Sequence, residues 1–238
     1  MMIKTDTNPY LILTIILSYY LFSQLFQQYV LRISSISNPI SEEEAFLFSQ
    51  HWLNYARLWM ILISMFLMAI AWVIIYFHFR RLSHYWSLSA LIFLLLFCLF
   101  EIFYRSIELF MVVPAWGPDI IQAQGDHREK LLGHYAMWDS FVTAIYFPLL
   151  FSQLLGSLIF AYLANEANSR LFKIAMILNG TRLVLRLSDY VGLPELNIFS
   201  GFWYFPPVAI IFIMMILWSY KEFRKSVHQN KIYIRAKK

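Results

Sequence analysis

Apolar positions in this chain run in long blocks, and the polar positions between them are few and clustered. Five blocks, at residues 10–30, 58–78, 86–113, 140–163 and 202–219, match the roughly 20 apolar residues that a helix needs to cross hydrocarbon. Each predicts a transmembrane helix. A sixth block, 171–191, is weaker because it contains Lys173, Asn179, Arg182, Arg186 and Asp189. It predicts a helix that belongs in a bundle only if its charged face finds polar partners there. The block 86–113 is longer than a bilayer requires, so it tilts or protrudes.

Polar punctuation supports these boundaries. Ser41 followed by Glu42, Glu43 and Glu44 has the form of a helix start, with an amphipathic lead-in over 45–56. Pro206 and Pro207 stand at the beginning of the last block, where a missing backbone N–H costs nothing. Trp86, Trp116, Trp138, Trp203 and Trp218 fall near predicted helix ends, as amphipathic rings do at a membrane interface.

Loop charges orient the scheme. With both ends inside, Lys4, Arg80, Arg81, Arg170, Lys173 and the basic tail (Lys221, Arg224, Lys225, Lys231, Arg235, Lys237, Lys238) are cytoplasmic, against Arg32, Arg128 and Lys130 outside. That is the asymmetry expected of cytoplasmic loops. It also argues for the sixth block as a crossing, because without it the basic tail moves outside. The expected architecture is therefore an all-α polytopic membrane helix bundle of about six transmembrane helices with N- and C-termini cytoplasmic. Residues 1–220 form one transmembrane domain and 221–238 a basic cytoplasmic tail.

Composition changes the picture only by exclusion. At 60% hydrophobic and 14% charged, the chain is far from the roughly 25% charged of a soluble domain. The net charge of +5 is accounted for by the edges of apolar blocks and the tail, so no nucleic-acid partner is expected; the lipid bilayer is. Cys98 is the one cysteine and lies inside an apolar run, which rules out an internal disulfide or a cysteine metal cluster and reads as packing. No glycine-rich phosphate loop, nucleophile elbow or His-Glu-x-x-His motif is present, and no cofactor or metal is expected. His127 and His134 lie in the predicted outer loop without ligand spacing, and His78 reads as interfacial. Asn179-Gly180-Thr181 matches the glycosylation pattern but falls within a predicted membrane helix, so it reads as a helix kink or packing site.

The candidate site is a set of intramembrane charges. Glu101, Arg105 and Glu108 share one face of the third helix, and Arg182, Arg186 and Asp189 one face of the fifth. Counting from each helix start at about 1.5 Å per residue puts Glu101 level with Arg186 and Arg105 level with Asp189. The expectation is that the two helices are neighbours joined by those pairs. Arg57 and Asp139 approach from the second and fourth helices, and the eight charges sum to zero. Such residues face the bundle interior because a charge at the bilayer centre costs about 2.5–3.5 kcal/mol. The pairs either hold the helices in register or line a cavity in the outer half that binds a polar or anionic group or relays protons. Gln24, Gln27 and Gln28 either add hydrogen bonds to such a pocket or sit at the interface.

The third helix also carries Tyr104-Arg105-Ser106-Ile107-Glu108-Leu109, after a polar stretch that follows the first helix and before a longer outer loop and a closing block of helices. In this layout and its Arg-x-x-Glu motif the chain resembles bacterial multi-pass membrane proteins of the domain-of-unknown-function 4386 family. The resemblance implies a bacterial cytoplasmic membrane and highlights Arg105 and Glu108, but implies no activity. Three functions fit the sequence: a protein that binds or transports a small molecule, a membrane-embedded enzyme of cyclase or isomerase type using a buried carboxyl as acid and base, or an assembly subunit. Oligomeric state is not legible.

Overall fold

The computed structural model describes residues 8–33, 49–193 and 201–236, and the expected helix start at Ser41 lies outside them. Six helices follow one another: α1 (Pro9–Ile33), α2 (Trp52–Phe79), α3 (His84–Gln122), α4 (Gly125–Glu166), α5 (Arg170–Leu187) and α6 (Phe205–Ala236). There is no strand among the described residues. All but α5 are long and apolar enough to cross a membrane. Large apolar side chains such as Ile15, Phe22, Phe66, Ile70, Ile92, Leu99, Ile213 and Leu217 point outward along them. An exterior of this kind suits hydrocarbon, and the chain is a multi-pass helical membrane protein.

The helices form a ring. Each packs against its chain neighbours, and α6 closes the ring against α1. Consecutive helices alternate in direction, so the start of α1 and the latter part of α6 lie at one end of the bundle, called here the termini end. There Asn8 bonds to Ser226, and the Ser219 hydroxyl bonds to Thr14 Oγ1 and the Tyr10 carbonyl at 2.9 Å each.

The expected adjacency of α3 and α5 is not found, because α4 stands between them. Close approach of α3 and α4 depends on Gly156: a Cβ there would lie 2.5 Å from Leu94 Cγ and 3.1 Å from the Ala90 carbonyl oxygen. Small residues let membrane helices approach in this way.

Helix ends follow local chemistry. Ser83 Oγ accepts from the Trp86 amide at 3.4 Å at the start of α3, and His51 Nδ1 accepts from the Leu53 amide at 3.2 Å ahead of α2. Beyond Ile107, α3 widens into a π-helical stretch, Glu108–Trp116, that contains Pro114. The Gly117 amide bonds five residues back to Val112, leaving the Val113 carbonyl without its usual helical donor; the Gln50 side chain donates to it at 2.5 Å.

Two segments extend further than hydropathy indicates. The stretch 125–139, expected as a loop, is the first part of the 42-residue α4. At about 1.5 Å per residue that helix is roughly twice the bilayer's hydrocarbon thickness, and its buried residues begin only at Leu149. His127 and His134 are exposed on its projecting part. The tail from 221 continues α6 as helix to Ala236. Pro148 removes the amide that would bond the Ala144 carbonyl, and the adjacent Thr143 carbonyl accepts from Tyr190 Oη at 2.9 Å.

Candidate functional site: a charged cavity at the axis of the ring

The two halves of the ring are filled differently. Toward the termini end, aromatic rings from four helices pack into a plug. Phe79 lies 5.2 Å from Phe172, 5.7 Å from Phe160 and 6.2 Å from Trp218 between ring centroids; Phe172 lies 4.5 Å from Trp218, and Trp72 stacks on Phe160 at 6.3 Å. Beside this plug, His78 Nδ1 is 2.7 Å from Tyr10 Oη and its ring meets Trp218 edge-on, so it is held between helices.

In the opposite half the axis is open. A cavity of about 360 Å³ is lined by all six helices together with Tyr204 of the turn before α6. Its charged wall consists of Glu101 and Arg105 from α3 and Arg182 and Arg186 from α5. Gln24, Gln27 and Gln28 face it from α1. Its apolar surface comes from Ile61, Met65, Phe97, Val208 and Phe212.

Around Arg105 the ion pairs differ from those expected. Arg105 Nη1 bonds to Glu108 Oε2 at 2.6 Å, and Arg105 Nε lies 3.4 Å from Glu101 Oε2. Glu108 Oε1 in turn reaches Arg57 Nη2 at 3.5 Å. Three of these side chains lie on one helix at spacings of four and three, so they meet without any partner from α5. With α4 interposed, neither Glu101 to Arg186 nor Arg105 to Asp189 forms. Asp189 is exposed in the 3-10 turn after α5, and Asp139 is exposed on the projecting part of α4. Neither lines the cavity, so the balance of eight charges does not hold at the site. Arg57, Arg105, Arg182 and Arg186 face two described carboxylates, Glu101 and Glu108.

Two arginines share a local device that hydropathy cannot reveal. Asn54 precedes Arg57 by three residues, and Asn179 precedes Arg182 by three. In each case the guanidinium forks onto the asparagine oxygen: Nε and Nη2 at 3.0 and 2.8 Å for Arg57, and at 3.3 and 3.0 Å for Arg182. Each asparagine is aimed by its own amide nitrogen, which donates to the Ser49 carbonyl at 2.9 Å for Asn54 and to Ser157 Oγ at 2.9 Å for Asn179. Gly180 admits α4 beside this second asparagine, so the Asn-Gly-Thr triplet is a packing site, as its place in a helix implies.

From there the two sites diverge. Arg57 goes on to Glu108. Arg182 is 4% exposed, and its Nη1 carries no hydrogen bond. Its guanidinium carbon stands 5.2 Å from the Tyr204 ring centroid and that of Arg186 stands 5.0 Å from it, so one tyrosine supports both cations. A buried donor left unpaired costs about 1–3 kcal/mol, more when charged.

The chain matches no family model, no curated protein and no solved structure. What the cavity does must therefore be argued from its chemistry.

The segment 171–191, doubtful by hydropathy, corresponds to a ring helix and the turn after it, with Arg182 and Arg186 but not Asp189 on the cavity wall. The three glutamines, equally compatible with an interfacial role, are also on the lining. The repeated asparagine-to-arginine spacing was the available signal that Arg57 and Arg182 are held alike.

Proposed function

We propose that the chain crosses the membrane six times with both ends cytoplasmic, and that its central cavity binds a small molecule through an anionic group entering from the outer side. The crossing number is supported by the ring, in which α5 is packed between α4 and α6. Its 18 residues span about 27 Å, close to the hydrocarbon thickness. The orientation is supported by Arg80, Arg81, Arg170, Lys173, Lys221, Arg224 and Lys225, which gather at the termini end. The resemblance in the Arg105 to Glu108 motif supports a bacterial cytoplasmic membrane.

Reporter fusions test the topology. Alkaline phosphatase will be inactive at both termini and active when inserted after Gly133, whereas an active C-terminal fusion would remove one crossing.

The observation that carries the binding reading is the unpartnered Nη1 of Arg182, beside Arg186 and on the cavity wall. Among the described residues no carboxylate pairs with Arg182 or Arg186: Glu108 holds Arg105 and Arg57, and Glu101 lies 3.4 Å from Arg105. An anion supplies the acceptor that Arg182 lacks. A hydrogen bond to a charged group is worth about 1.5–3 kcal/mol, so Arg182→Gln will weaken binding roughly ten- to a hundred-fold. The measurement is thermal stabilisation of the full chain in nanodiscs by a panel of small carboxylates and phosphates, with native mass spectrometry for a retained molecule. No response across the panel, together with a clean unliganded mass, would sink the proposal.

A further inference from the structure

The cavity holds unpartnered groups of both kinds. Besides the donor on Arg182, Glu101 Oε2 is buried without a hydrogen bond. It lies 3.4 Å from Arg105 Nε, but the pair lacks hydrogen-bond geometry, and that Nε is itself unbonded. Arg105 is instead committed through Nη1 to Glu108. An anion at Arg182 and Arg186 therefore leaves the Glu101 acceptor unused. A ligand that answers both needs carries an anionic group at one position and a cationic N–H donor at another.

The surroundings fit such a molecule. Glu101, Arg105, Tyr146, Arg182 and Arg186 line the same cavity, so the acidic and basic groups face one space. The rings of Tyr20 and Tyr146 on the lining offer aromatic neighbours for an ammonium group, while Tyr204 is already engaged by the two arginines. Ile61, Met65, Phe97, Val208 and Phe212 offer an apolar surface for the remainder of the ligand. The 360 Å³ of space takes on the order of a dozen non-hydrogen atoms at the roughly 30 Å³ share of a water molecule.

We infer that the cavity binds a zwitterion of the amino-acid class with an apolar side chain: the carboxylate on Arg182 and Arg186, the ammonium on Glu101, and the side chain against the apolar wall. This rests on the anion reading of the cavity and adds the second charge and the size.

The test uses the full chain in nanodiscs and three probes: phenylalanine, 3-phenylpropionate, which lacks the amine, and 2-phenylethylamine, which lacks the carboxylate. Equilibrium binding of phenylalanine will be about tenfold or more tighter than that of either truncated probe, as a buried charge-assisted bond implies. Glu101→Gln, nearly isosteric, will remove the preference over phenylpropionate by weakening phenylalanine and not phenylpropionate, whose binding holds or tightens as a like charge leaves the cavity. Arg182→Gln, or the less buried Arg186→Gln should the first fail to fold, will weaken both acids. If phenylpropionate binds as tightly as phenylalanine and still depends on the arginines, the zwitterion inference is overturned and the anion site stands. If none of the three binds the wild type, the inference is overturned. The anion reading then stands or falls on the carboxylate and phosphate panel.

Discussion

Replacing Glu108 with alanine will destabilise the bundle by about 3–5 kcal/mol, the cost of stranding a buried charge. Glu108 holds two guanidinium groups, Arg105 at 2.6 Å and Arg57 at 3.5 Å. Both arginines are under a tenth exposed. Without the carboxylate, Arg57 retains only the neutral oxygen of Asn54 among its described partners, and Arg105 the poorly aligned Glu101 and the Tyr104 ring, 4.3 Å from its guanidinium carbon. Magnitude discriminates here between two descriptions of the cluster. Neutral hydrogen bonds between membrane helices average about 0.6 kcal/mol, because the unfolded chain in lipid finds other partners. A loss of that size would mean the arginines are hydrated and the cluster is not buried, whereas several kcal/mol means uncompensated charge. Glu108→Gln should fall between, since it keeps an acceptor and loses the charge. Reversible unfolding in bicelles, with Arg57→Met combined with Glu108→Ala as the partial rescue, measures the difference.

The charges also show where sequence reasoning reaches its limit. Run length and loop charge are local quantities, and they located the helices to within a few residues at most ends. The charged face of 182 and 186 was legible for the same reason, because a helix of spacing 3.6 must place those residues together. Pairing across helices was not legible. Equal depth for Glu101 and Arg186 is necessary for contact, but ring order decides neighbours, and hydropathy carries no information about ring order. Residues 125–139 read as a loop because polarity was taken for irregularity, although a helix projecting from a membrane is polar by necessity. The π-helical turn after Ile107 depends on Pro114 and on a remote donor, Gln50, and nothing in the local pattern announces that pairing. The difference between Arg57 and Arg182 has the same origin. Their local Asn-x-x-Arg motifs match, and only the position of Glu108 on α3 gives one a carboxylate and leaves the other for a ligand.

Trp72→Ala will open the closed half of the ring and expose Cys98. The bundle is asymmetric along its axis: charges and glutamines surround open space in one half, and stacked rings occupy the other. Access from one side depends on that plug. Trp72 is 2% exposed and stacks on Phe160, which carries contact onward to Phe79 and Phe172. Cys98, 1% exposed, sits beside Trp72, while its chain neighbour Phe97 lines the cavity. A tryptophan truncation in a water-soluble core costs about 3–5 kcal/mol, but part of that is transfer to water. In a bilayer the unfolded helices keep their side chains in lipid, so only the lost packing remains and the fold survives. The void falls next to the one cysteine in the chain, which makes its alkylation a direct report. Modification of Cys98 by a small maleimide in nanodiscs should be about tenfold faster or more, as expected when local opening becomes easier by some 1.4 kcal/mol. An unchanged rate would show that the barrier lies elsewhere along the axis. The faster rate would identify the aromatic layer as the floor on which the charged cavity depends.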